Sequence, residues 1–313
     1  MKGVLCSLRR SLRVIVLVGL AVLETACGAR APGGLPLAIG VESQYADVIG
    51  QIGAPYVTVR AILTNPNTDP HSFEASPAVA REVSQASLVV MNGLGYDAWI
   101  RRILAASPDP RRRVIDVRRL LRLPADTLNP HLWYDPRTMP AVAEAAARAL
   151  SELDPAHAQY FQANARRFTA SLAPWVAAIA AFRRDYGATA VAVTEPVANA
   201  LLEAAGCRIL TPLALQVALM NGTDPAPQDV AAERALLRGR KVKVLLYNQQ
   251  VTGPLTRSFL ELAREQHIPV VGVYETMPSG YHYQSWMLAE INALRAAVAR
   301  GVSTRTLAPE TAR

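Results

Sequence analysis

The stretch Asp154–Tyr186, DPAHAQYFQANARRFTASLAPWVAAIAAFRRDY, carries the pattern on which the architecture turns. Its apolar residues fall at Phe161, Ala165, Phe168, Leu172, Trp175, Ile179 and Phe182, alternating steps of four and three that keep one helical face apolar for about six turns. Asp154 stands where an N-cap is expected, and Pro155 at the first helical position, where its missing N–H costs nothing. At 1.5 Å per residue a helix running to Tyr186 spans roughly 45 Å, longer than one small lobe. Pro174 falls inside the stripe and predicts a kink rather than a break, because the stripe continues in phase.

Both flanks of this helix repeat one habit. Ahead of it, β-rich runs at Leu37–Val41, Val57–Leu63, Leu88–Met91 and Val114–Val117 alternate with helical patterns at Tyr45–Ile52, Pro77–Ser87 and Ala98–Ala106. Behind it, runs at Thr189–Val193, Val242–Tyr247 and Pro269–Tyr274 alternate with helical patterns at Ala198–Ala205, Gln228–Leu237, Leu255–Gln266 and Gln284–Arg300. Strand–helix–strand repetition implies mainly parallel sheets. The fold class expected is therefore α/β, two similar lobes joined by one long helix. The expected organisation is a front lobe over 37–153, a linking helix over 154–187, a back lobe over 188–302 and a tail over 303–313. A length of 313 residues suits two domains, and 51% hydrophobic with 19% charged residues excludes disordered and fibrous classes.

The N-terminus reads as a signal peptide. Lys2, Arg9, Arg10 and Arg13 precede ten apolar residues, Val14–Leu23, too few to span a bilayer comfortably. Removing residues 1–26 takes away four basic residues and one acid and lowers the net charge from +8 to +5. Thr25-Ala26-Cys27, followed by a Gly/Pro/Ala tether over 27–36, resembles the lipobox of bacterial lipoproteins, in which the cysteine is lipidated; Glu24 departs from that pattern. Two outcomes stay open, a lipid anchor on Cys27 or simple cleavage. Either implies an exported protein, in the periplasm or on the outer face of the cytoplasmic membrane. No structural disulfide is expected, since Cys6 lies in the signal and Cys207 has no partner once Cys27 is lipidated.

Two of the five histidines stand in matching Pro-His loops, His71 in Asn65–Glu74 and His131 in Asn129–Pro136. Proline restrains the backbone ahead of the imidazole, although a loop histidine can also be merely solvated. Glu195 and Glu275 each follow a strand of the back lobe, where ligands of open α/β sheets bind, although acids there also serve as helix caps. Together the four make an N2O2 set, charge-matched to a divalent cation in a cleft between lobes. Asp69, Glu74 and Asp135 flank the histidines as candidates to hydrogen-bond the imidazole N–H groups. Asn221 and Asn248 are expected to order cleft loops.

Asn65–Glu74, Ala86–Asp97, Asn129–Asp135, Thr194–Val197, Asn221–Pro227 and Tyr281–Ala289 resemble, in order and over residues 37–300, the zinc/manganese-type metal-binding lipoproteins of bacterial ABC importers. The resemblance implies a metal ion between two lobes, with ligands falling on His71, His131, Glu195 and Glu275. It implies manganese or zinc as cargo and an ABC permease as partner. Residues 118–130 lack the His-rich loop common in zinc-type members, and Ala198 and Ala200 replace the aromatic residues that often follow the third ligand. Carboxylate oxygens lean the set toward manganese, while raw affinity ranks zinc higher.

Four protein ligands leave no open coordination position, which argues for a non-enzymatic receptor. A metal-chelate receptor is the main alternative and a metallohydrolase a further one. No His-Glu-x-x-His element appears. The arginines at 111–113, 118, 119 and 122 form a basic patch, but an exported protein has no nucleic acid to meet. A monomer is expected.

Overall fold

The computed structural model describes residues 34–67 and 70–308. The expected signal peptide, Cys27 and Asp69 lie outside these residues. The front lobe runs β1 (Leu37–Glu42), α1 (Ser43–Gly53), β2 (Thr58–Leu63), α2 (Pro77–Gln85), β3 (Leu88–Met91), α3 (Ala98–Ala106), β4 (Arg113–Asp116), α4 (Val117–Leu120) and α5 (Thr138–Leu153). Two helices follow, α6 (Ala158–Ser171) and α7 (Ala173–Tyr186). The back lobe runs β5 (Ala190–Val193), α8 (Asn199–Ala204), β6 (Arg208–Ile209), α9 (Leu213–Met220), α10 (Pro227–Arg238), β7 (Val244–Asn248), α11 (Pro254–Glu265), β8 (Val270–Val273) and α12 (Tyr283–Arg300).

Each lobe holds a four-stranded, all-parallel sheet, ordered β2-β1-β3-β4 in front and β6-β5-β7-β8 behind. The two orders are the same pattern, so the α/β class of two similar lobes holds. Central strands covered on both faces read as apolar runs, as β3 (LVVM) does throughout and β7 (VLLYN) does up to Asn248, with every residue buried. In each sheet the chain reverses its direction of travel beside the first strand, and such a switch point opens a crevice at the strands' carboxyl ends.

The linking helix differs from a single rod. Leu172 (φ −78°, ψ −9°) separates α6 from α7, and Pro174 sits in the first turn of α7. Pro174 has no N–H to give, so the helix is interrupted for one residue; the Val176 N–H still reaches the Leu172 carbonyl at 3.0 Å. Every residue of the apolar stripe is buried. Asp154 takes the N-cap position of a 3-10 turn, Pro155–His157, that precedes α6, whose own N-cap residue is His157, and the Asp154 carboxylate accepts no backbone N–H in the cap. It pairs instead with His157 Nδ1 at 2.8 Å, and the His157 ring stacks on Tyr56 at 3.6 Å.

The apolar patterning gives little sign of α5, α9 or β6. The buried side of α5 is mostly alanine, Ala143, Ala145, Ala146, Ala147 and Ala149, which dilutes the apolar period, yet it packs closely on α1 and α6. The lobes also share more core than two separate units would. One continuous cluster runs from β1 and β3 through Phe161, Trp175 and Phe182 to β5, β7 and α12. A smaller cluster, with Leu215, Leu237 and Phe259, covers the other face of the back sheet. Within the expected tail, residues 303–308 lie along the edge of β8. Thr304 bridges Val271, and a Cβ on Gly272 would come within 2.1 Å of the Arg305 carbonyl, so that strand approach requires glycine.

Candidate metal centre

Three adjacent strand ends of the back sheet set out the acidic side of the site. Val193 of β5 pairs with Leu246 of β7, and Asn248 of β7 pairs with Val273 of β8. Glu195, Asn248 and Glu275 therefore emerge side by side at the carboxyl edge. Backbone–side-chain bonds fix them further: the Asn248 N–H donates to Thr194 Oγ1 at 3.1 Å, and Gln250 Oε1 accepts from the N–H groups of Glu275 (2.7 Å) and Thr276 (2.9 Å).

The front lobe supplies the imidazoles. His71 sits in a 3-10 turn, Pro70–Ser72, in the loop after β2. His131 immediately precedes a 3-10 turn, Leu132–Tyr134, and Asn92, following β3, grips its loop by donating from Nδ2 to the Pro130 carbonyl at 2.8 Å. His71 Nε2 lies 3.2 Å and His131 Nε2 3.1 Å from the same oxygen, Glu275 Oε2. Among the described residues these three present ligand atoms all within 4.8 Å of one another. The His131 and Glu275 side chains are fully buried and that of His71 is 21% exposed, so the His71 side is the open one.

Glu195 is also buried, but it is not a member of this three-residue group. It connects through Asn248, whose Nδ2 lies 2.8 Å from Glu195 Oε2 and 2.5 Å from Glu275 Oε1.

The proton on His131 can be placed from its neighbours. Asn129 Nδ2 donates to the Pro196 carbonyl of the back lobe at 2.8 Å, which orients that amide and turns Asn129 Oδ1 toward His131. Oδ1 accepts from the His131 backbone N–H (3.0 Å) and from Nδ1 (2.8 Å), so Nδ1 carries the hydrogen. In a neutral ring, Nε2 then offers a lone pair to a carboxylate oxygen. Burial pulls the His131 ring below the ordinary imidazole range, against the opposing pull of Glu275. Burial disfavours the Glu275 charge, but the facing His131 and His71 rings outweigh it and hold the carboxyl well below its usual range. The rings do this as proton donors to the carboxylate, and a divalent cation binds by taking the place of those protons, leaving a carboxylate and neutral ring nitrogens as its ligands.

Two of the three flanking acids, Glu74 and Asp135, lie within the described residues. The Asp135 carboxylate is occupied by the Arg137 guanidinium, at 2.6 Å to Nη2, and by the Arg137 N–H; it is Asn129 that holds the His131 ring. Glu74 is exposed. The sequence carries a signal for Asn129: Asn in Asn-Pro-His favours an Asx turn, accepting from the N–H two residues on. Tyr96 also joins the site. Its hydroxyl donates to Glu275 Oε2 at 3.0 Å, and its ring meets His71 edge-on at 4.9 Å. Of the other histidines, His282 pairs with Asp47 of α1 at 2.7 Å and His267 occupies a left-handed turn (φ 54°). In the basic patch, Arg112 is buried and donates to the carbonyls of Ser84, Ala86 and Ser107, a structural task.

The family described as zinc-uptake complex component A, periplasmic (ZnuA), matches residues 42–297. The manganese-binding lipoprotein MntA of Halalkalibacterium halodurans is 29% identical over 167 residues, 50% of this chain and 54% of that protein. The iron-binding protein YfeA of Yersinia pestis is 26% identical over 39% of this chain and 40% of that protein. The chain thus spans about half the length, or less, of these curated relatives. Among solved structures, the periplasmic zinc-binding protein TroA from Treponema pallidum has a TM-score of 0.72 at 16% identity, covering 86% of this chain and all of that one. FpvC of Pseudomonas aeruginosa, solved with Ni2+, has a TM-score of 0.69 at 20% identity, covering 87% and 99%. These two structures share the two-lobed fold, and a family match running from the end of β1 almost to the end of α12 decides descent: the chain belongs to the periplasmic zinc-uptake component A family.

Proposed function

We propose that this protein is an extracytoplasmic receptor that captures a divalent transition metal ion, manganese or zinc, and delivers it to an ABC permease. In this reading His71, His131, Glu195 and Glu275 are the ligands. One observation carries it. The Nε2 lone pair of a ring whose N–H is committed to Asn129 faces Glu275 Oε2 at 3.1 Å, and His71 Nε2 approaches the same oxygen at 3.2 Å. At that separation the groups are joined by a proton on the ring nitrogen or by a cation in its place, and a divalent ion that displaces the proton finds its ligand atoms already gathered. With metal–ligand bonds of about 2.1 Å, adjacent ligand atoms of a coordination polyhedron stand roughly 3.0–3.4 Å apart, which these separations match.

The same burial favours a bare ion over an organic chelate, because His131 and Glu275 leave no exposed side-chain surface for a larger guest. The family and the names of its manganese- and iron-binding relatives support metal as cargo. Four protein ligands close the coordination sphere and speak for transport rather than catalysis. Asp69, Glu74 and Asp135 are not needed to hold the His131 ring in this scheme. Export through residues 1–26, with Cys27 as lipid anchor, would keep a monomeric receptor beside its permease.

Metal analysis of protein purified without added metal, followed by zinc–manganese competition, tests the reading. Tight binding of at least one ion, abolished by His71→Ala, is expected. A wild-type protein that binds neither ion at micromolar concentration refutes it.

A further inference from the structure

Asn248 is buried to 1% exposure at the point where the two acids meet, and its amide orientation is settled by its own bonds. Oδ1 accepts from the Gln250 backbone N–H at 3.0 Å, so Nδ2 with its two hydrogens faces the carboxylates. One hydrogen serves Glu195 Oε2 and the other Glu275 Oε1. The two oxygens of Glu275 consequently have divided roles: Oε2 faces His71, His131 and Tyr96, while Oε1 is held by the amide. The Glu275 backbone is also pinned, its N–H by Gln250 Oε1 and its carbonyl by Gln44 Nε2 at 3.3 Å.

We propose that Asn248 determines the coordination number of this centre, and through it metal preference, by holding one oxygen of each carboxylate away from the ion. This rests on the ligand set given above. A carboxylate that turned both oxygens to the ion would swing the amide-bound oxygen off its line to Nδ2, and weakening a buried hydrogen bond is costly. Glu195 and Glu275 therefore each give a single oxygen, and two imidazole nitrogens bring the total to four. Four ligand atoms suit zinc, which is content with a tetrahedron. Manganese favours six oxygen-rich positions, which two bidentate carboxylates would help to supply. The amide thus counters the lean toward manganese that the carboxylates introduce. Asn248 acts through the acids and is a positioning residue.

The test uses purified mature protein and the metal ions alone. Infrared difference spectra on adding Zn2+ or Mn2+ read the splitting of the carboxylate stretches, which is wide for monodentate and narrow for bidentate ligation. Wild-type protein is expected to show the wide splitting with both ions. In Asn248→Ala the Mn2+ spectrum is expected to narrow, and the zinc-to-manganese affinity ratio to fall about tenfold, the equivalent of ~1.4 kcal/mol of differential binding. Narrow splitting in the wild-type zinc complex overturns the proposal without needing any variant to fold. Unchanged splitting and ratio in a metal-binding Asn248→Ala overturn it while leaving the ligand set standing. Failure of wild-type protein to bind either ion removes the ligand set and this inference with it.

Discussion

Replacing Asn129 with Ala removes three hydrogen bonds at once: those accepted from the His131 Nδ1–H and backbone N–H, and the one donated to the Pro196 carbonyl across the cleft. The Nδ1–H is left buried without a partner, at a cost of about 1–3 kcal/mol, and the ring can then change tautomer and turn its N–H toward the ion. Loss of such an outer partner of a metal-binding histidine typically weakens metal affinity 10–100-fold, about 1.4–2.7 kcal/mol. Asn129→Asp keeps the acceptor for His131 while exchanging the donor to Pro196 for a charged carboxylate oxygen, so affinity retained in Asp but lost in Ala points to the His131 bond. Zn2+ affinity by competition with a fluorescent chelator near pH 7.5, with melts of metal-free protein as a folding control, measures it. Asn129→Ala should bind at least tenfold more weakly and Asn129→Asp within a few-fold of wild type. An Ala variant within twofold of wild type would refute the tautomer argument.

Three further outcomes are expected. Imidazole must be deprotonated to bind metal and its reference pKa is about 6.5, so affinity should fall steeply below roughly pH 6; flat affinity from about pH 7 to 5 contradicts a two-histidine site. His71→Ala should lose most metal affinity and the thermal stabilisation that metal gives, whereas His157→Ala should lower the melting temperature of metal-free protein by removing its stack on Tyr56 and leave affinity intact. Glu290, fully buried between Trp286 Nε1 (3.0 Å) and the Tyr134 hydroxyl (3.3 Å), has its pKa pushed up by burial to about 8. A carboxyl whose folded pKa lies above its unfolded value stabilises at low pH and loses that contribution as pH rises toward 8. Glu290→Gln should therefore raise the melting temperature most at pH 7–8 and by little near pH 4, the difference being on the order of a few kcal/mol; a variant less stable than wild type at pH 8 excludes this.

Much of the architecture is local in origin and so was legible residue by residue. The four-and-three spacing from Phe161 to Phe182 announced a long buried stripe, and apolar runs such as LVVM announced covered parallel strands. The stripe could not show that Pro174 interrupts the helix at Leu172, nor could the alanines of α5 reveal a buried face, because both depend on what packs against them. The site divides in the same way. Residue type and loop setting singled out His71, His131, Glu195 and Glu275 as candidates. Which of them converge, and how, follows from strand order: β5, β7 and β8 bring Glu195, Asn248 and Glu275 together, and the interlobe contact brings Glu275 to Tyr96 and the imidazoles of the front lobe. A chain encodes the chemistry of each side chain by itself. Distances of about 3 Å between residues as far apart as His131 and Glu275 arise only when two sheets and a kinked helix fix both loops in one frame.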